Sequence, residues 1–255
     1  MTHMANLAQL PSLHDEITQE YYRTTAARGH VATREHYVFT SLQLERRLRG
    51  WLPGNPDTRF LDLACGCGDM LYLLEGRGIA ATTGVDLCRE ELDNARLFVQ
   101  GKLVHEDVLA FLQSEPDESY DFITALNFLE HLPKDSLFAI LTEVRRVLAP
   151  GGTLVAMVPN AISPFGSTTR HWDLTHEWAF TPNNFRQLAA LCGFDSKVEL
   201  RECGPVPHGF RSVLRFVAWT FIRAAISAWL LVEIADRKDG VYTMDMMVRL
   251  RRPLT

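Results

Sequence analysis

Three carboxylates at the ends of successive apolar runs, and two histidines further along, are the residues of this chain best able to do chemistry. Asp62 stands in Phe60-Leu61-Asp62-Leu63-Ala64-Cys65-Gly66-Cys67-Gly68, where an apolar strand runs into a turn of small residues and then into a helix. Glycines allow a tight turn and let a ligand lie against bare backbone. A carboxylate just before such a turn suits a cationic amino or sulfonium group and is a poor neighbour for a pyrophosphate. The phosphate turn G-x-G-x-x-G fails here as well, because counting from Gly66 and Gly68 the third position is Leu71. Asp86, in Gly84-Val85-Asp86-Leu87, can accept from both hydroxyls of a ribose. Asp107, in Glu106-Asp107-Val108, can accept from a ring amino group. Taken singly, each acid could equally cap a helix, Asp107 above all.

Base or metal chemistry has two further sources. One is Glu130-His131 in Asn127-Phe128-Leu129-Glu130-His131-Leu132, and the other is His176 in the polar stretch 170–180, which also holds Arg170, Asp173 and Glu177. A neutral histidine near its ordinary pKa can take a proton from a hydroxyl. Two histidines with a carboxylate also make a credible metal set. The plainer alternatives are that Glu130-His131 caps a helix and that the later loop packs as a lid.

These residues need a scaffold, and the pattern supplies one. Strands are expected over 59–64, 81–87, 103–105, 120–126, 153–158, 198–201 and 241–250, and helices over 14–51, 69–74, 90–99 and 137–148. In the first helix Val38, Leu42, Leu48 and Trp51 fall on one face. Thr181-Pro182 opens another helix, closed at Gly193. Regular β–α alternation implies an α/β fold, a doubly wound and mostly parallel sheet with helices on both faces. The three acids then meet in one crevice at the topological switch point. The boundaries expected are a helical cap over 1–52 and a ligand-binding domain over 53–255.

At 255 residues, 47% hydrophobic and 22% charged, the chain is long enough for one such domain. Its net charge of -5 speaks against a nucleic-acid partner. Five cysteines, an odd number with no metal or disulfide spacing, fit a reduced cytoplasmic setting, and 1–14 lacks the pattern of a secretory signal.

Taken together, LDLACGCG, GVDL, EDVLAF, YDFITALNFLEHL and LAPGGTLVAMVPN resemble the class I S-adenosylmethionine (SAM)-dependent methyltransferases over about 59–194. The resemblance implies a seven-stranded Rossmann-like sheet with SAM as cofactor. It places Asp62, Ala64, Cys65, Gly66 and Gly68 along the methionine portion, Asp86 and Leu87 at the ribose, Asp107 and Val108 near adenine, and Asn127 beside the amino group. The family has Gly where this chain has Ala64. Methyltransferases of ubiquinone biosynthesis and of small-RNA 3′ ends are similar at Glu130-His131, and there E-x-x-E-H with a later His holds a divalent metal such as Mg²⁺. Asn127 replaces the first Glu here. Glu130, His131 and His176 are therefore the candidate catalytic residues and, with a cation, the candidate metal ligands. The stretch from Pro159 to Pro182 resembles bacterial enzymes that methylate sugar hydroxyls. The expected activity is thus O-methylation of a sugar or glycan, with a phenolic or natural-product hydroxyl, or a non-catalytic SAM-binding subunit, as alternatives.

Phe210 to Ile234 reads as an apolar helix interrupted by Arg211, Arg215 and Arg223, too charged for a bilayer span. It is expected either to cover the sheet or form a homodimer contact, or to lie peripherally on a membrane.

Overall fold

The computed structural model describes residues 33–254, so most of the expected cap over 1–52, and the part of the expected helix 14–51 that precedes residue 33, lie outside the described residues. The elements in chain order are α1 (Arg34–Arg47), β1 (Phe60–Leu63), α2 (Asp69–Gly76), β2 (Thr82–Asp86), α3 (Arg89–Ala95), β3 (Lys102–His105), α4 (Val108–Ser114), β4 (Tyr120–Leu126), α5 (Lys134–Val147), β5 (Leu148–Pro159), α6 (Gly166–Arg170), α7 (Pro182–Cys192), β6 (Glu199–Glu202), α8 (Phe210–Ile234) and β7 (Asp245–Arg251). A 3₁₀ turn at Leu129–His131 follows β4.

The strands form one sheet in the order β3-β2-β1-β4-β5-β7-β6. The pairs β2–β3, β1–β2, β1–β4 and β4–β5 are parallel, while β7 lies antiparallel between β5 and β6. Strand order reverses between β1 and β4, the position where open α/β sheets bind ligands. Because β7 runs against its neighbours, its first residue, Asp245, pairs with Pro159 at the carboxyl end of β5. An acid at the start of the last strand therefore joins the edge formed by the ends of the others.

Alternation along the strands sorts side chains to two faces. Leu61, Leu63, Ile123, Leu154 and Ala156 face a core built with α4, α5 and α7. Phe60, Phe122, Val155 and Met157 face a second core built with α1, α2 and α3. Of the expected row, Leu48 and Trp51, just past the end of α1, are buried, whereas Val38 and Leu42 are about half exposed and Tyr37 and Leu44 form the buried face of the helix instead.

The expectation that Phe210–Ile234 covers the sheet is overturned. Among its residues only Ser212 is buried, and its apolar side chains stand in solvent. Both faces of the sheet are already closed, one by α4, α5 and α7 and the other by α1, α2 and α3. The helix docks by polar contacts instead: the Trp219 indole N–H and the Arg223 guanidinium both donate to Glu202, at 3.1 and 3.3 Å.

Candidate functional site

The glycine turn begins where β1 ends. Ala64 takes a left-handed φ of 53°, as does Asn127 at the end of the adjacent β4, with φ 54°. Two non-glycine residues in this region, on neighbouring strands at the switch point, mark the crevice as strained. Gly66 is open on the side where a Cβ would project, its nearest neighbour there being Glu91 Oε2 at 3.9 Å. Cys65 points inward: a Cβ on Gly84 would lie 2.7 Å from its Sγ, so the cysteine offers the crevice only backbone.

Asp62 is buried, and its Oδ1 accepts the Thr124 hydroxyl at 2.5 Å from the adjoining strand. Burial pushes its carboxyl up to about 7, the Thr124 hydroxyl works against this, and Asp69 and Asp86 add to it. Asp86 does more than its sequence position suggested. Its two oxygens accept the backbone N–H groups of Gly66 and Cys88, at 2.8 and 2.7 Å, so the carboxylate pins the glycine turn to the end of β2. Burial raises its pKa and those two N–H groups draw it back. A carboxylate has about four acceptor sites, so capacity remains for hydroxyl donors. Next to it, Leu87 leaves an apolar side chain 52% exposed.

Asp107 caps α4, accepting the Ala110 N–H at 3.0 Å, as its sequence position allowed. The Val108 side chain is buried in the core, which leaves only its backbone for a ligand. Two residues not singled out from sequence support the turn from above. The Tyr37 hydroxyl donates to the Cys67 carbonyl at 2.6 Å, and His36 Nε2 meets Asp69 Oδ1 at 2.9 Å. Both come from α1, and nothing in the linear sequence ties them to a turn 30 residues away.

On the β4 side, one donor atom each from Glu130, His131 and His176 lies within 4.8 Å of the others. Hydrogen bonds set the histidine tautomers. The Thr175 hydroxyl bonds Asp173 Oδ1 at 2.8 Å, so its oxygen accepts from His131 Nδ1 at 2.6 Å and leaves Nε2 as the basic nitrogen. His176 Nδ1 donates to the Thr169 carbonyl at 2.9 Å, which makes Nε2 basic there too. Arg170 donates to the His176 carbonyl and holds the loop in place. Glu130 is fully buried; its Oε2 has no hydrogen-bond partner among the described residues, and burial pushes its carboxyl up to about 8. Asp245 adds to that rise; burial raises the Asp245 carboxyl as well, and Arg47 and then His176 draw it back. Asp245 was read as strand interior; only the antiparallel course of β7 brings it here.

Asp245 also lines a cavity of about 600 Å³, bounded by Phe39 and Arg47 of α1, Phe165, and Trp219, Ile222 and Ile226 of α8. Helix α1 thus touches the glycine turn with one end and this cavity with the other. A smaller hollow of about 370 Å³, lined by Thr82, Lys102 and Tyr120, lies by the amino-terminal starts of the strands, away from these groups.

Residues 34–200 match the family model described as a methyltransferase domain. The chain belongs to this family of SAM-dependent methyltransferases. It is 30% identical over 193 residues to the 27-O-demethylrifamycin SV methyltransferase of Amycolatopsis mediterranei, covering 72% of this chain and 66% of that one. It is 33% identical over 113 residues to a ubiquinone biosynthesis O-methyltransferase of Idiomarina loihiensis, covering 41% of this chain and 45% of that one. The chain thus spans less than two thirds of the length of these curated relatives. A SAM-dependent methyltransferase structure from Archaeoglobus fulgidus superposes with a TM-score of 0.61 at 20% identity, over 93% of this chain and 99% of that one, and shares the fold.

The cofactor of the family is SAM, and the residues present fit it. SAM brings a sulfonium and an ammonium, and the crevice offers the buried Asp62 carboxylate with Asp69 and Asp86 beside it. It brings a ribose and an apolar-faced ring, and here stand Asp86 with acceptor capacity and the exposed Leu87.

Proposed function

We propose that this chain transfers a methyl group from SAM to a hydroxyl of a small-molecule acceptor, with the hydroxyl proton received at the cluster of Glu130, His131 and His176. The carrying observation is that cluster: two imidazoles whose Nδ1 atoms are engaged by Thr175 and by the Thr169 carbonyl, beside a buried carboxyl oxygen without a partner among the described residues. When bound, SAM supplies an electrophilic methyl that carries its own leaving group. The protein has to align the hydroxyl, exclude water and take a proton. Asp173 and Thr175 hold His131 so that its basic Nε2 is available for that proton, in the manner of a base oriented by a third group.

A divalent cation fits the same three residues. Metal-ligating histidines usually donate their other ring N–H to an oxygen, as both do here, and a cation beside Glu130 would give its orphaned oxygen a partner. Glu130, His131 and His176 would hold it, and it would supply Lewis acidity to a hydroxyl.

For the acceptor, the sugar or glycan hydroxyl expected from sequence competes with a natural-product hydroxyl. The names of the two curated relatives, a rifamycin methyltransferase and a ubiquinone-pathway O-methyltransferase, support the second. The apolar lining of the cavity also supports it. Five unpaired cysteines support a reducing, cytoplasmic setting. The test is SAM consumption against sugar nucleotides, glycans and catechols with and without Mg²⁺, together with Mn²⁺ binding followed by paramagnetic resonance. Turnover on a hydroxyl compound is expected. SAM binding with no turnover on any acceptor would instead mark a non-catalytic subunit, and loss of the Mn²⁺ signal in His176→Ala is the result that a metal site requires.

A further inference from the structure

The segment 203–244 leaves the sheet at the end of β6 and returns at the start of β7, and α8 fills most of it. A helix covering the sheet would turn its apolar side inward, and α8 does the reverse. Its inward side carries Ser212, Trp219 and Arg223, hydrogen-bonded to neighbouring polar groups, and Ser227, which meets the Tyr242 hydroxyl at 3.1 Å. Its outward side repeats every three or four residues through Phe210, Leu214, Val217 and Phe221 and is met again three turns on at Val232, with Phe221 72% and Val232 89% exposed. A contiguous apolar surface of this size marks a site of interaction.

The three arginines were expected to rule out a bilayer span, yet by length and composition the helix could cross one, with a mean hydropathy of 1.6 over 18 residues. Topology forbids it in this fold. Glu202 at the end of β6 pairs with Met246 near the start of β7, so both ends of the excursion return to the same sheet on the same side. A single span would leave them on opposite sides of the membrane. Charge then decides between the remaining occupants. Of its three arginines, Arg223 pairs with Glu202 behind the helix and Arg215 walls the cavity there, which leaves Arg211 beside the outward row, with the exposed Trp229 on the same flank five turns on. A cationic side chain and an indole flanking an apolar row are the arrangement of a helix lying in an anionic lipid interface, whereas a second copy packed on that row would leave both unmatched. Behind the helix, its inward residues Arg215, Trp219, Ile222 and Ile226 wall the cavity that Asp245 joins to the candidate site.

We infer that α8 lies flat on an anionic lipid surface, its outward row in the headgroup–acyl boundary, and that the cavity behind it admits the apolar chain of an amphiphilic acceptor drawn from that surface. The second half rests on the proposed O-methyl transfer; the first does not. The acceptor class is a hydroxylated headgroup, sugar or aromatic, on a long apolar tail.

Flotation of the full chain with vesicles tests this without turnover. The chain should float with phosphatidylcholine–phosphatidylglycerol vesicles, less with phosphatidylcholine alone, and be released in part by salt. Phe221→Asp and Leu214→Asp, both on the solvent side and so tolerated by the fold, should weaken partitioning about tenfold or more while SAM binding by calorimetry is unchanged. Absence of binding to either vesicle overturns the inference, as does unchanged binding in both variants. A wild-type dimer that Phe221→Asp dissociates, with no lipid binding, assigns the face to a second copy instead. For the cavity, a brominated long-chain alcohol should quench Trp219 fluorescence in the lipid-free chain, a component missing from Trp219→Phe. Equal quenching in the two refutes the cavity half, and neither readout depends on whether an acceptor is ever methylated.

Discussion

The cofactor side of the crevice and the acceptor side are built on different principles. At the ends of β1 and β2 the groups that face the crevice are neighbours in sequence or one βα unit apart, though Thr124 and Tyr37 brace them from farther off; Gly66 and Asp86, which bond each other, are 20 residues apart. On the β4 side His131 depends on Thr175, 44 residues further on, and Asp245 arrives from the last strand. The first arrangement is a local motif repeated down a sheet edge. The second is an assembly of three segments that only the folded chain brings together. The lesson is that the donor site can be rigid and shared across a family while the acceptor site varies with the loops that complete it.

The sharpest way to break this contrast is to remove the base. His131→Ala is expected to lower kcat roughly 10²–10⁴-fold, the usual worth of a positioned base. Its SAM affinity by calorimetry should stay as it was, because the cofactor side stands without it. Loss of affinity comparable to the loss of rate would mean that the two sides are not separable.

Asp86→Ala should do the opposite. It removes a charged acceptor from the ribose side and strips Gly66 and Cys88 of the oxygen their N–H groups use. A cost of roughly 1.5–3 kcal/mol, tenfold to more than a hundredfold in SAM affinity, is expected. Because the same carboxylate pins the turn, Tm should fall as well. Unchanged SAM affinity in a folded variant would remove Asp86 from the cofactor site.

A smaller, pH-dependent effect separates the sides further. Asp62 and Glu130 titrate near 7 and 8 in the folded chain, above their ordinary values of 3.8 and 4.5, because both are buried. The folded state therefore holds protons that the unfolded state has lost. Stability of the ligand-free protein is greatest below about pH 4 for these two groups and declines as pH rises towards about 8. A cationic ligand needs Asp62 ionised, so the Tm gain from SAM should be larger at about pH 8 than at about pH 5.5. In Asp62→Asn this difference should shrink. An equal gain at both pH values would show that Asp62 does not meet the cation.

The smallest expected effect tests the strain at the turn. Ala64 holds φ at 53°, where an alanine is strained and a glycine is at ease. Ala64→Gly should stabilise the fold by roughly 0.5–1 kcal/mol, the strain relieved being partly offset by the entropy of glycine. Destabilisation in urea melts would mean that the alanine methyl packs in a way that outweighs its backbone.

Much of the cofactor side was legible in the linear chain. Strand, small-residue turn and helix follow one another within a dozen residues, and the acid at the next strand end follows at the spacing of one βα unit. The α/β class followed from the same alternation. The candidate base residues were legible as types, since Glu130, His131 and His176 stood out as titratable groups in polar stretches. The outward apolar row of α8 could not be told from a buried one, because helical periodicity gives the same pattern whichever way the apolar side turns. What the tertiary structure alone decided is which way that row faces, how α1 bears on the glycine turn through Tyr37, and that the charge of Asp245 is felt by Glu130 and in turn feels His176. Each depends on how segments distant in sequence are placed, through strand order and the antiparallel course of β7, and local patterning carries no information about either.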